Sequence, residues 1–107
     1  RWRQTPLRVR QLPLSSRVLL SNKISKTHSV IEVNGRDFPG LLHQITKSLA
    51  DLGLQIQTAT VSTYGERVVD VFYVKDIFGL QIQNGVRQQT IRNRLLEIFI
   101  DTDEAVV

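Results

Sequence analysis

SVIEVNGRDFPGLLHQITKSLADLG, residues 29 to 53, joins an apolar run to a leucine-rich stretch through Asn34-Gly35-Arg36-Asp37-Phe38-Pro39-Gly40. SVIEVN, 29 to 34, reads as a strand with only partial alternation. Val30 and Ile31 are adjacent apolar residues, so one face is buried and the other half covered. Leu42, Ile45, Leu49 and Leu52 follow the 3-4-3 rhythm of one helix face, and Gly53 is a natural stop. Pro39 fits a first helical turn, where a missing N–H loses no bond. Gly40 beside it leaves the backbone open to close approach. The segment therefore predicts strand, tight turn, helix.

Downstream, LQIQTATVST (54 to 63) is strand-like, but its apolar parity changes from Leu54 and Ile56 to Ala59 and Val61. A bulge near Gln57-Thr58 would keep both pairs on one face. Tyr64-Gly65-Glu66 supplies a turn. VVDVFYV (68 to 74) is the strongest strand signal, apolar at both parities, and so needs cover on both faces. Lys75 to Gly85 reads as a loop with Asp76 and Gly79 as turn residues and an extended Leu80 to Ile82. Asn84 fits the cap of a second helix, with Ile91, Leu95 and Ile98 on its inner face. Upstream, SSRVLLSN (15 to 22) reads as a strand joined to SVIEVN by a short polar turn. Residues 1 to 14 read as a basic linker, residues 15 to 107 as the domain, and DTDEAVV at its end as a frayed tail.

Strand, strand, helix, strand, strand, helix is a ferredoxin-like α+β order. The last strand of that unit is missing, and the leading strand can take its place at the same edge. The expected architecture is a four-stranded antiparallel sheet with both helices on one face (ββαββα). The other face, carrying Val71 and Tyr73, is left open and calls for a partner: a preceding module of the same parent, or a second copy.

Composition removes several functions. There is no Cys and only His28 and His43, which are too few ligands for the usual zinc constellations. Val71 to Val74 is far below the roughly 20 residues that span a bilayer, and no signal segment appears, so a cytoplasmic protein without membrane contact is expected. The net charge of +4 divides into +7 for residues 1 to 27 and −3 for residues 28 to 107. The basicity thus lies in the leading arm, and a sheet-based RNA reader would need aromatics on both central strands, which SVIEVN lacks. No nucleic acid is expected. The start at Arg1 suggests a piece of a longer chain.

The turn before the first helix carries the most specific chemistry. Bare N–H groups of Gly40, Leu41 and Leu42, at the positive end of the helix dipole, suit a carboxylate. Asp37 fits either a helix cap or a ligand contact. Asn34, Gln55 and Gln57 can complete an amino-acid pocket if the sheet edge brings them near Asp37, in one chain or in a paired copy. Otherwise the two glutamines are solvent-facing strand residues. Asp70 is expected to be a paired structural carboxylate. No nucleophile–base pattern appears, so no catalytic residue is assigned.

VIEVNGRDFPGLLHQITKSLADLGLQIQTATVSTYGERVVDVFYVKD resembles an ACT domain, a small amino-acid-sensing regulatory module. ATVSTYGERVVDVFYVKD, with the lead-in PLSSRVLLSNKISKTHSVIEVN, is similar to the second, C-terminal ACT module of the bacterial bifunctional PII uridylyltransferase/uridylyl-removing enzymes. The resemblance implies glutamine sensing in nitrogen regulation, with the PII protein as the parent's substrate. The nucleotidyltransferase and hydrolase segments, and any Mg2+ and UTP they use, would lie upstream. It implies no cofactor here and a ligand site of Asn34, Asp37, Gly40, Leu41, Leu42, Gln55 and Gln57. One departure is Phe38, where the family commonly has Arg.

Overall fold

The two-sided apolar run around Phe72 lies inside the sheet, as its composition requires. The computed structural model describes residues 15–100. Strand β1 (Arg17–Ser21) is followed by β2 (Ser29–Arg36), helix α1 (Leu41–Asp51), β3 (Gln55–Tyr64), β4 (Arg67–Lys75) and helix α2 (Gly85–Glu97). The four strands run antiparallel in the order β1-β2-β4-β3, so the leading strand occupies the edge that a terminal strand would fill. The fold is the ferredoxin-like α+β arrangement. The linker at residues 1–14 and the tail at residues 101–107 lie outside the described residues.

Register separates the two faces. Ile31 and Val33 of β2, opposite Phe72 and Asp70 of β4, turn toward the helices. There they join Val18, Ile45, Leu49, Ile91, Leu95 and Phe99 in one core. The alternate residues form the open face: Glu32, Asn34 and Arg36 on β2, Val69, Val71 and Tyr73 on β4, and Arg17 and Leu19 on β1. In β3 the pairing shifts between Ile56 and Thr58. Gln57 is the extra residue, and the bulge puts Ile56, Ala59 and Val61 on one face, as the parity change requires. β3 has no strand neighbour on its outer side among the described residues, and Val61 stays 48% exposed.

Helix α1 buries Ile45 and Leu49 as the 3-4-3 reading expects, but turns Leu41 inward in place of Leu42. Leu41, Ile45, Ser48 and Leu49 are buried, and Leu42 turns outward, 44% exposed. A run of two leucines leaves that choice to packing. The helix closes on Gly53 (φ 80°), whose N–H reaches the Ala50 carbonyl while Leu54 N–H reaches that of Leu49. This is a Schellman stop. The Arg87 guanidinium adds a bond to the Leu52 carbonyl, tying the end of α1 to the start of α2. Asn84 caps α2 by accepting from Arg87 N–H at 2.9 Å. Just past the end of α2, Phe99 is the buried residue that completes the row, with Ile98 only partly buried. Leu80 to Ile82 forms no strand: Asp76 Oδ1 gathers the N–H groups of Phe78 and Leu80, and Ile82 plugs into the core.

Candidate functional site

Between β2 and α1 the chain folds around Phe38-Pro39-Gly40-Leu41. Leu41 N–H donates to the Phe38 carbonyl at 3.2 Å, and Gly40 has φ 85° and ψ 0°. These are the features of a type II turn, with Pro fixing its first central residue and Gly supplying the left-handed second. Pro39 therefore belongs to this turn, just outside the helix. The least helix-friendly residues stand before the helix because the turn requires them.

This geometry leaves the mouth of α1 partly unfilled. Gly40 is the N-cap and no side chain caps it, so Asp37 does not play the capping role. Of the three N–H groups singled out in the sequence, that of Leu41 is taken up by the turn. The Leu42 and His43 N–H groups have no partner among the described residues. They face an open depression of about 520 Å³ lined by residues 37 to 43. The Asp37 backbone is pinned, its N–H donating to the Glu66 carbonyl at 2.7 Å, while its carboxylate has no partner among the described residues. The mouth thus offers two backbone donors at a positive helix end beside one free carboxylate, a pattern complementary to a small zwitterion.

Phe38 packs against the core. Its ring meets Phe99 edge-on at 6.3 Å, and Phe99 in turn lies over Gly35. Behind the turn, Asp70 of β4 is 1% exposed, and its carboxyl makes no hydrogen bond among the described residues, with Oδ1 fully enclosed. The expected structural partner is missing. Burial first, and the neighbouring Asp37 carboxylate second, push the Asp70 carboxyl above the usual carboxylate range.

The remaining sequence candidates lie elsewhere. Asn34 sits on the open face and donates to Glu32 at 2.7 Å, across the sheet from the helix mouth. Gln55 pairs with Lys75, and the Gln57 bulge is level with Ser29 and Val30, at the opposite end of the sheet from Asp37. Gln57 there approaches His28 Nε2 at 3.4 Å, and Gln55 donates to the Asp76 carbonyl. Asn34 and Asp37 stand four and seven residues beyond Val30, about 13 and 23 Å of extended chain. One chain therefore does not join Gln55 and Gln57 to the helix mouth, and only the paired-copy arrangement can. Among the described residues no cluster of three His, Cys, Asp or Glu is placed to hold a metal. No helix there is long and apolar enough to cross a membrane.

The ferredoxin-like sheet, with the turn before α1 opening on an uncapped helix mouth, is the α+β fold of a small regulatory domain. Residues 24–97 match the family described as the ACR family N-terminal ACT domain, and the chain belongs to the ACT-domain family. It is 52% identical over 94 residues to the bifunctional uridylyltransferase/uridylyl-removing enzyme of Azospirillum brasilense, covering 88% of this chain and 10% of that protein. The enzyme of the same name from Rhodospirillum rubrum is 53% identical over 90 residues, covering 84% of this chain and 10% of the relative. For the one from Gluconobacter oxydans the figures are 49% over 92 residues, 86% and 10%. The chain thus spans about a tenth of the length of the curated relatives it matches. No solved structure matches it.

Proposed function

We propose that this chain is the amino-acid-sensing module of a bifunctional uridylyltransferase/uridylyl-removing enzyme, with glutamine as its ligand. The observation that carries the reading is the helix mouth: the uncapped N–H groups of Leu42 and His43 beside the free Asp37 carboxylate, over an open depression. The ligand carboxylate docks on the helix end, and its ammonium faces Asp37. Gly40 and Leu41 shape the floor. Asn34, Gln55 and Gln57 enter the site only from a paired module. The parent uridylylates PII with UTP and Mg2+ in upstream segments and reverses the modification when glutamine is abundant, in the cytoplasm. The lead-in at residues 13 to 34 supports a place as the second of two tandem modules, and the upstream reading frame decides it.

A metabolite present near 1 mM needs only roughly −4 kcal/mol of binding free energy, within reach of two backbone donors and one carboxylate. Signalling needs more: glutamine must prefer one pairing of modules over another. Calorimetric titration of glutamine into this chain and into the tandem pair tests the reading. Heat in either, lost in Asp37→Ala, supports it; silence in both defeats it. The second reading is a ligand-free pairing module, favoured by the taken-up Leu41 N–H and by an outer side of β3 that has no strand neighbour among the described residues. In that case the parent enzyme carrying Asp37→Ala keeps its full response to glutamine.

A further inference from the structure

Two arginines face each other where nothing in the amino-acid reading needs them. Arg36 at the end of β2 is the direct cross-strand partner of Arg67 at the start of β4, and both lie on the open face of the sheet. Like charges directly opposite one another are unfavourable. Arg17 of β1, paired with Asn34, adds a third cation one row away on the same face. Among the described residues only Glu66 forms an ion pair with either arginine, and Glu32, on the same face, is engaged elsewhere. Glu66 stands 3.8 Å from Arg36 Nη1 but is 85% exposed, a screened and weak contact. Glu32 is held by the Asn34 amide.

The donors themselves are unsatisfied. Arg67 spends Nη2 on the Ser15 carbonyl at 2.9 Å. Arg67 Nη1 and Arg36 Nε are enclosed, yet neither has an acceptor among the described residues. A guanidinium N–H removed from water without an acceptor is unfavourable, and here two such groups sit in one same-sign pair. Only an acceptor with several lone pairs and negative charge relieves both the repulsion and the orphan donors. The Arg36 side chain remains 19% exposed, so the pair is reachable from the open face.

We infer that Arg36 and Arg67, assisted by Arg17, form an oxyanion-binding site on the open face, separate from the helix mouth, that takes one carboxylate or phosphate group between the two guanidinium forks. Such forks fit planar and tetrahedral oxyanions through paired N–H bonds. The inference stands or falls independently of glutamine sensing.

The test follows the side-chain Nε–H signals of Arg36 and Arg67 by NMR in the whole 107-residue chain while inorganic phosphate or acetate is added, against chloride at equal ionic strength. Saturable shifts at both arginines, absent with chloride and absent at Arg92 on α2, are expected. Tighter saturation by phosphate assigns a phosphate ligand; equal or tighter saturation by acetate assigns a carboxylate. Arg67→Gln is expected to weaken the saturable shift of Arg36 about tenfold or more, the loss of a charged fork. If that variant does not fold, Arg36→Lys, which keeps charge but not the fork, must show the same weakening at Arg67. Linear shifts shared with Arg92 and reproduced by chloride, an adventitious ion only, overturn the site, as does undiminished saturation in the folded variant.

Discussion

Gly35 has no room for a side chain. A Cβ built there would stand 2.5 Å from Phe99 Cε1, and that ring is 1% exposed and braced by Phe38, so it cannot swing away. Gly35→Ala is expected to cost about 1–3 kcal/mol through overpacking, read as a lower urea midpoint with an unchanged slope. An unchanged midpoint would mean that Phe99 is more loosely held than its burial indicates. The need for this glycine was not legible in the sequence, because the residue that imposes it lies 64 positions away. Gly40 was legible, since Pro-Gly before a helix announces a turn with a left-handed second residue. Asp70 was misread: an acid in a strand suggests a partner, and only the assembled core reveals its absence. With its carboxyl pushed up by burial and by Asp37, the folded state holds, between the unfolded and the raised folded pKa, a proton that the unfolded chain has released. Stability at this group is therefore present below the unfolded carboxylate pKa and is lost as pH rises through the elevated folded one. Asp70→Asn removes that titration. The variant should gain stability relative to the parent at pH 7 and lose the advantage near pH 4, in paired urea melts. A constant difference at the two pH values would show that Asp70 titrates normally.

Elements were legible wherever periodicity and punctuation agreed. The parity break in LQIQTATVST marked the β3 bulge, because only an extra residue keeps Ile56, Ala59 and Val61 together on the face toward the helices. Helix phase was less secure. Leu41 and Leu42 satisfy the same rhythm almost equally, and tertiary packing chose Leu41, which left Leu42 exposed at the helix mouth. The same ambiguity placed Ile98 where Phe99 belongs, since 4-3 and 4-4 spacings both stay on one side of a helix. Caps are more local and therefore more readable. Asn84 accepts from Arg87 N–H, the only side-chain cap on either described helix. Asn84→Ala should cost roughly 1 kcal/mol, with hydrogen exchange accelerating first at the amides of residues 86 to 88. Acceleration spread evenly over the sheet instead would place the loss outside the helix start.

At the scale of the whole molecule, the site candidates divide between opposite ends of the sheet. Asp37 and the helix mouth lie near the β3–β4 turn, whereas Gln55 and Gln57 lie beside His28. Sequence spacing could not show this, because two residues equally near a turn can flank opposite ends of an antiparallel sheet. The separation ties sensing to pairing: if the glutamines contribute at all, they must come from another copy or module. The outer side of β3, which has no strand neighbour among the described residues, offers the place where such a partner can be added. Ligand and partner then bind with linked free energies, each tightening the other. Glutamine at about ten times its dissociation constant contributes roughly 1.4 kcal/mol to whichever state binds it, enough to lower a dimer dissociation constant about tenfold if only the dimer holds the site. Sedimentation of this chain over a concentration series, with and without glutamine, is expected to show that shift. Asp37→Ala should abolish the glutamine effect while leaving ligand-free association untouched, and Gln57→Ala should weaken it less. Glutamine binding that is equally tight to monomer and dimer would place the whole pocket within one chain and remove Gln55 and Gln57 from it.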